Sequence, residues 1–341
     1  MNNIPDRTAL IVTTIQEPND VMFSLAKGAS KNGWDFIVIG DMKGPPQFNI
    51  DGADFYDLSR QKELEFSFAK ICPIGHYARK NIGYLIAMNR GADVIVETDD
   101  DNFPRDSFFE QRNRERTVRL GGETGWVNVY RYFHKSNIWP RGFPLRYIQS
   151  PVSDLGDPEG FFAPIQQGLA DDNPDVDAIY RLVAQLPVTF DHGYDVGLKV
   201  GQYCPFNSQN TTIFKEAFPL LYLPSHCSFR MTDIWRSFVA LRICHALGWT
   251  VAFHGPTVWQ KRNDHDLMCD FSDEVDGYLK NEAIVRVLEN LNLSTDQSAV
   301  GDNLRACYEA LTREEFILKD EMVLVDAWLN DLNTIYKISV S

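Results

Sequence analysis

Apolar positions in the first hundred residues fall into short unbroken runs instead of alternating with polar ones. Thr8 to Ile15 (TALIVTTI), Trp34 to Asp41 (WDFIVIGD) and Ala92 to Glu97 (ADVIVE) are the clearest. Runs of this length, rich in Val and Ile, predict strands buried on both faces. Asp54 to Leu58 predicts a shorter strand. Between the runs the spacing becomes helical. Asn19 is placed to cap a helix carrying Phe23, Leu25 and Ala26, with Gly33 as its stop. His76 to Arg90 predicts another helix, with Ala78, Ile82, Leu85, Ile86 and Asn89 at helical spacing before Gly91. Strands and helices in this alternation predict an α/β fold with a largely parallel sheet flanked by helices. Ligands in such sheets sit beyond the carboxyl ends of the strands. Asp41 and the run Asp99, Asp100 and Asp101 fall at two of those ends.

Residues 103–235 are irregular and rich in Pro, Gly and aromatics, a composition expected of structured loops that line a site. The helical pattern returns from Ile234 to Leu247, and Trp249 to Phe253 reads as a strand. After about Asp270 the sequence is mostly amphipathic helix.

Composition narrows the function. Apolar residues make up 44% of the 341 residues and charged ones 23%, enough for a sizeable core. Lys and Arg number 33 against 47 Asp and Glu, a net charge of −14. That balance excludes a general binder of nucleic acid or anionic membranes, and phosphate handling would need a local basic cluster or a metal ion. The most apolar stretch, Ser237 to Trp259, is broken by Arg242, His245, Gly248, His254 and Pro256, short of the ~20 apolar residues of a membrane span. The N-terminus lacks the basic start of a signal peptide. Six cysteines lie far apart, without CxxC or zinc spacing, and are expected as free thiols. A cytoplasmic protein is expected, with self-association left open.

The densest chemistry is in ADVIVETDDDN. Three consecutive carboxylates repel one another unless they are solvated or neutralised by a cation. At a strand end, Asp99 and Asp101 make a hard oxygen site suited to Mg²⁺ or Mn²⁺. In PIGHYARKNIGYLIAMNRG, Arg79 and Lys80 put cations in a first helical turn, against the helix dipole, which suggests a clamp for a diphosphate. The pairs Asp175/Asp177 and Asp264/Asp266 share the Asp-x-Asp spacing but follow no comparably buried strand. No GxGxxG, GxxxxGK[ST] or GxSxG pattern occurs, which argues against dinucleotide enzymes, P-loop NTPases and serine hydrolases.

The chain resembles the STELLO-type glycosyltransferase-like family. The matching stretches are IVTTIQEPND, WDFIVIGDMKGP, GHYARKNIGYLIAMNRGADVIVETDDDN, IWPRGFPL, PIQQGLADDNPDVDAIYRL, PFNSQNT, FRMTDIWRSFVALRI and QKRNDHDL, which together span about residues 8–270. A weaker similarity, in the triple Asp, GLADDNPDVDA and TDIW, is to the reversibly glycosylated polypeptides, which include UDP-arabinopyranose mutases. The resemblance implies a GT-A-like (Rossmann-like) fold: residues 1–269 as a catalytic domain binding a nucleotide sugar, and 270–341 as a helical extension packed on it. It implies a divalent ion, Mn²⁺ or Mg²⁺, a UDP-sugar donor and a glycan or other hydroxyl acceptor. Plant members are membrane-anchored in the Golgi, whereas this chain is expected to act in the cytoplasm.

The same resemblance implies roles for individual residues. Thr13 and Thr14 would lie near the nucleotide base, and Asp41 near base or ribose. Arg79 and Lys80 would sit at the diphosphate, beside Asp100. Asp99 and Asp101 would hold the metal, joined by His265, with His254 as the second candidate. Asp177 and Asp233 would face donor sugar and acceptor. If the reaction inverts, Asp233 is the preferred base, although its place before an apolar helical face also suits a helix cap. A UDP-sugar mutase, a self-glycosylating protein and a non-catalytic assembly factor for polysaccharide synthesis are the alternatives.

Overall fold

The computed structural model describes residues 6–263 and 266–338. Its strands are β1 (Thr8–Thr14), β2 (Asp35–Gly40), β3 (Ala53–Tyr56), β4 (Val94–Thr98), β5 (Asn102–Pro104), β6 (Glu115–Leu120), β7 (Gly125–Trp126), β8 (Glu159–Phe162), β9 (Ile165–Asp171), β10 (Val196–Leu198), β11 (Gln202–Tyr203), β12 (Asn210–Phe214) and β13 (Val251–Gln260). Its helices are α1 (Asp20–Asn32), α2 (Leu58–Glu63), α3 (Ser67–Ile71), α4 (Lys80–Asn89), α5 (Tyr130–Phe133), α6 (Ala178–Val183), α7 (Thr232–Leu247), α8 (Leu267–Glu289), α9 (Val300–Arg313) and α10 (Glu321–Ile338).

The main sheet runs β3-β2-β1-β4-β12-β9-β13-β10-β6-β8, with β5 paired to β13, and β11 pairs β7 separately. The first four strands are parallel, as the buried runs predict. β12 then enters antiparallel to both β4 and β9, while β9 and β13 are parallel again. The sheet is therefore mixed, flanked by helices on both faces. Because β12 runs backwards, its amino end at Asn210 meets Thr98, the carboxyl end of β4.

The local signals hold where they depend on one segment. The Asn19 side chain accepts the Met22 N–H at 3.0 Å and caps α1, and Gly33 ends the helix in the left-handed region at φ 68. Along α4, Gly83 lets the helix lie close on the sheet: a Cβ there would come within 2.6 Å of Ile11 Cγ2 and 3.0 Å of Ile39 Cγ1. β13 is longer than its sequence suggests. The sequence predicts a strand only to Phe253, but a register shift between His254 and Val258 spans Gly255 and Pro256 and the pairing with β9 resumes at Val258 and Trp259. That continuation carries Gln260 to the Asp cluster.

α7 is tied to the sheet by a buried ion pair. Glu97 of β4, wholly buried, takes a two-armed ion pair from Arg236 at 3.0 and 2.7 Å and a further bond from the Tyr84 hydroxyl. α8 and α9 pack on α7, and α10 packs on α3 and α4. Phe68, Tyr222 and Trp328 meet edge to face or tilted, which ties the last helix into the core. Among the described residues no helix is long and apolar enough to cross a membrane.

Candidate active site

A cavity of about 540 Å³ opens along the carboxyl ends of β2, β1, β4, β9 and β13. Thr13, Thr14 and Asp41 line one end of it, Asp99, Asp100 and Asp101 the middle, and Asp175, Arg181, Gln260 and Arg262 the other. Eight of the candidate site residues read from the sequence, the first six of these with Arg79 and Asp233, thus line one cavity at the strand ends.

Each carboxylate has a different setting. Asp41 accepts the backbone N–H groups of Met42, Gly75 and His76 at 2.7–2.9 Å, so it fixes the loop that enters α4. Asp100 takes the Thr14 hydroxyl at 2.5 Å, and its carbonyl takes the Asn19 amide, which ties the cluster to β1 and α1. Asp99 accepts from the Tyr77 hydroxyl at 3.0 Å and from Lys80 Nζ at 3.2 Å. Asp101 accepts Gln260 Nε2 on Oδ2, while its Oδ1 is buried and has no hydrogen-bond partner among the described residues. Burial raises the pKa of all three, and Asp101, with the charges of Asp99 and Asp100 beside it, is pushed up to about 7. The cluster is short of positive charge. Among the described residues no three His, Cys, Asp or Glu side chains form a metal-holding group. The unpartnered oxygen and the hard, desolvated donor set nevertheless suit a divalent ion. His265 lies outside the described residues.

Other candidates are placed differently. Arg79 borders the cavity but is 2% exposed, and its guanidinium donates to Gln61 Oε1 and to the carbonyls of Cys72 and Pro73. Gln61 in turn donates to the Gly40 and Tyr56 carbonyls, so Arg79 is a strut between α2 and the sheet. Lys80 is fully buried on Tyr77, Thr98, Asp99 and Ser208 and does not line the cavity. Asp177 is also outside it. Wholly buried, it caps α6 by accepting the Tyr180 N–H and also accepts Trp139 Nε1, both at 2.7 Å; burial pushes its pKa up to about 7. His254 is buried with Nδ1 on the Gly255 carbonyl and lines a separate cavity with Arg112 and His192.

Asp233 does line the cavity, though not as a cap. Met231 precedes the first residue of α7, and the Asp233 carboxylate instead meets Arg141 Nη1 and Nη2, both at 3.0 Å. Arg141 reaches Asp175 at the same time, at 2.8 and 2.9 Å. Gly142 makes this possible: its φ is 85, and a Cβ there would come within 2.4 Å of Ile234. Arg141 holds Asp233 below the usual carboxylate pKa.

The cavity also has a basic wall. Arg141, Arg181, Arg230 and Arg262 all line the cavity. They come from four separate segments that all lie within the stretches carrying the family resemblance, but only the tertiary fold brings their guanidinium groups to one wall.

Residues 230–338 match the family model described as STELLO glycosyltransferases. Two curated proteins of Arabidopsis thaliana align with nearly the whole chain. Probable glycosyltransferase STELLO2 is 28% identical over 95% of this chain and 44% of its own length, and Probable glycosyltransferase STELLO1 is 26% identical over 96% and 46%. The chain is similar to the STELLO glycosyltransferases. The resemblance read from its motifs is thus shown, and the chain spans less than half the length of these STELLO relatives. Two solved structures were also found at 10% identity: a mycobacterial protein (TM-score 0.41, 81% of this chain and 74% of that one) and glucosyl-3-phosphoglycerate synthase of M. tuberculosis (TM-score 0.39, 81% and 80%).

Proposed function

We propose that the chain is a GT-A-type, metal-dependent glycosyltransferase that takes a sugar from a UDP-sugar and transfers it to a glycan or other hydroxyl acceptor, in the cytoplasm. The observation that carries this reading is the strand-end carboxylate cluster, with a buried oxygen on Asp101 unpartnered among the described residues, in the same cavity as the β1 and β2 ends. Asp99 and Asp101 would hold Mn²⁺ or Mg²⁺, which when bound offsets the charge that develops on a departing diphosphate. Thr13, Thr14 and Asp41 would border the nucleoside, and Asp100 would keep the cluster against β1.

The environments revise the roles of Arg79, Lys80, Asp177 and Asp233. Arg79 and Lys80 position the loop and the strand end, with Lys80 offsetting Asp99. Asp177 is structural. Asp233 is ion-paired and its proton affinity is lowered, which makes it a poor general base. Asp175 is paired to the same arginine. With no unpaired carboxylate on that wall among the described residues, the reading favours retention of configuration, in which no enzymic base is required.

The test is NMR of UDP-sugars incubated with the protein, Mn²⁺ and hydroxyl acceptors. Free UDP and a new glycosidic signal of the donor's configuration are expected. Ring-form interconversion without acceptor would support a mutase, and absence of both turnover and nucleotide binding would support an assembly role.

A further inference from the structure

The cavity has a polarity that the donor alone does not use. In sheet order its wall passes from β2 and β1, through the Asp cluster after β4, to the segments after β9 and β13. A nucleotide sugar laid with its nucleoside over β1 and β2 and its diphosphate at Asp99 and Asp101 leaves the far end for the transferred sugar and the acceptor. That end carries the arginines. Three of them are matched to carboxylates: Arg141 to Asp175 and Asp233, Arg230 to Glu274, and Arg262 to Asp270.

Arg181 is different. Its Nη2 donates to the Pro174 carbonyl at 2.7 Å and its Nη1 reaches Asn173 at 3.5 Å, but its Nε is buried with no partner among the described residues. Among the described residues no carboxylate lies within ion-pair distance of it. Burial and the neighbouring charges of Arg262 and Arg230 push its pKa down to about 9, despite an opposing contribution from Asp175. A cation desolvated among cations, facing a cavity, is stabilised by any anion that enters.

We infer that the end of the cavity beyond β9 and β13 is an anion subsite, centred on Arg181, for a phosphate or carboxylate carried by the acceptor or by the transferred sugar. This rests on the glycosyltransferase reading for its orientation, but the anion site itself stands on the arginine geometry. An uncharged glycan would leave Arg181 uncompensated, so the reaction is selective for an acidic partner. Arg141, Arg230 and Arg262, already neutralised by carboxylates, frame the site.

Titration calorimetry of the full chain, with UDP and Mn²⁺ present, tests this with inorganic phosphate as the probe. Phosphate is expected to bind the UDP-loaded protein. Arg181→Gln should weaken that binding by about tenfold or more, the loss of one charge-assisted hydrogen bond, while UDP affinity changes less than about twofold, since no such bond to UDP is lost. Arg181→Lys, which keeps the charge, should recover part of the phosphate binding. Competition between phosphate and UDP, with both weakened equally by Arg181→Gln, would assign the arginines to the diphosphate and overturn the inference. So would absence of phosphate binding. Phosphate binding without any UDP binding would uphold the anion site and count against the nucleotide-sugar reading instead. UDP-glucuronate binding more tightly than UDP-glucose, with the difference lost in Arg181→Gln, would place the anion on the transferred sugar. Equal affinities, with glucose 6-phosphate binding beside UDP, would place it on the acceptor.

Discussion

At the residue scale, an aspartate's neighbours decide its role more than its spacing does. Asp175, Asp177 and Asp233 lie in two stretches that read alike as site loops, yet Asp177 is a buried helix cap and the other two share one arginine. Asp177→Ala removes the cap and leaves the Trp139 N–H without its acceptor. It should cost roughly 2–4 kcal/mol in chemical denaturation and leave UDP affinity unchanged; a loss of UDP affinity in the folded variant would put Asp177 back at the site. Arg79 shows the same limit of sequence. Spacing assigned it to the basic start of a helix, but Gln61, on another helix, takes its guanidinium. Such pairings need the tertiary fold, and no local pattern encodes them.

At the element scale, β1, β2 and β4 were legible because each is an apolar run covered on both faces, and α1 because its cap and stop are local. The antiparallel entry of β12 and the bulged extension of β13 were not, since both depend on pairing with distant strands. The fit of α4 on the sheet gives one test. Gly83→Ala places a Cβ against Ile11 and Ile39, branched side chains fixed in buried strands, and should destabilise by about 1–3 kcal/mol as measured by thermal unfolding. An unchanged melting temperature would mean that the helix can retreat freely. The junction of α10 gives a second. Glu321, buried at its first turn, accepts His226 Nδ1 at 2.8 Å together with the Ser225 and His226 backbone N–H groups. That hydrogen bond raises the His226 pKa against the opposing effect of burial. A group raised in the folded state adds stability that is full below its unfolded pKa and is lost as pH rises through the folded value. Stability relative to His226→Gln should therefore be greatest on the acid side of neutrality and shrink as pH rises. A difference that grew with pH would refute the ion pair.

At the scale of the whole molecule, the carboxyl ends of five strands converge on one cavity with an acidic centre and a basic far wall. The acidic centre was readable because three carboxylates stand next to one another in sequence. The basic wall was not, because its four arginines are contiguous only in the fold. The central claim is that Asp99 and Asp101 bind a divalent ion that recruits a nucleoside diphosphate. Its most direct test is calorimetric titration of UDP into the protein in Mn²⁺ and in EDTA, repeated with Asp101→Asn. That variant should fold at least as stably as the parent, because it removes one charge from a cluster whose carboxylates disfavour ionisation. UDP binding is predicted to depend on Mn²⁺ in the parent and to be lost in the folded variant, whereas equal affinity in Mn²⁺ and EDTA, or undiminished binding by Asp101→Asn, would contradict it.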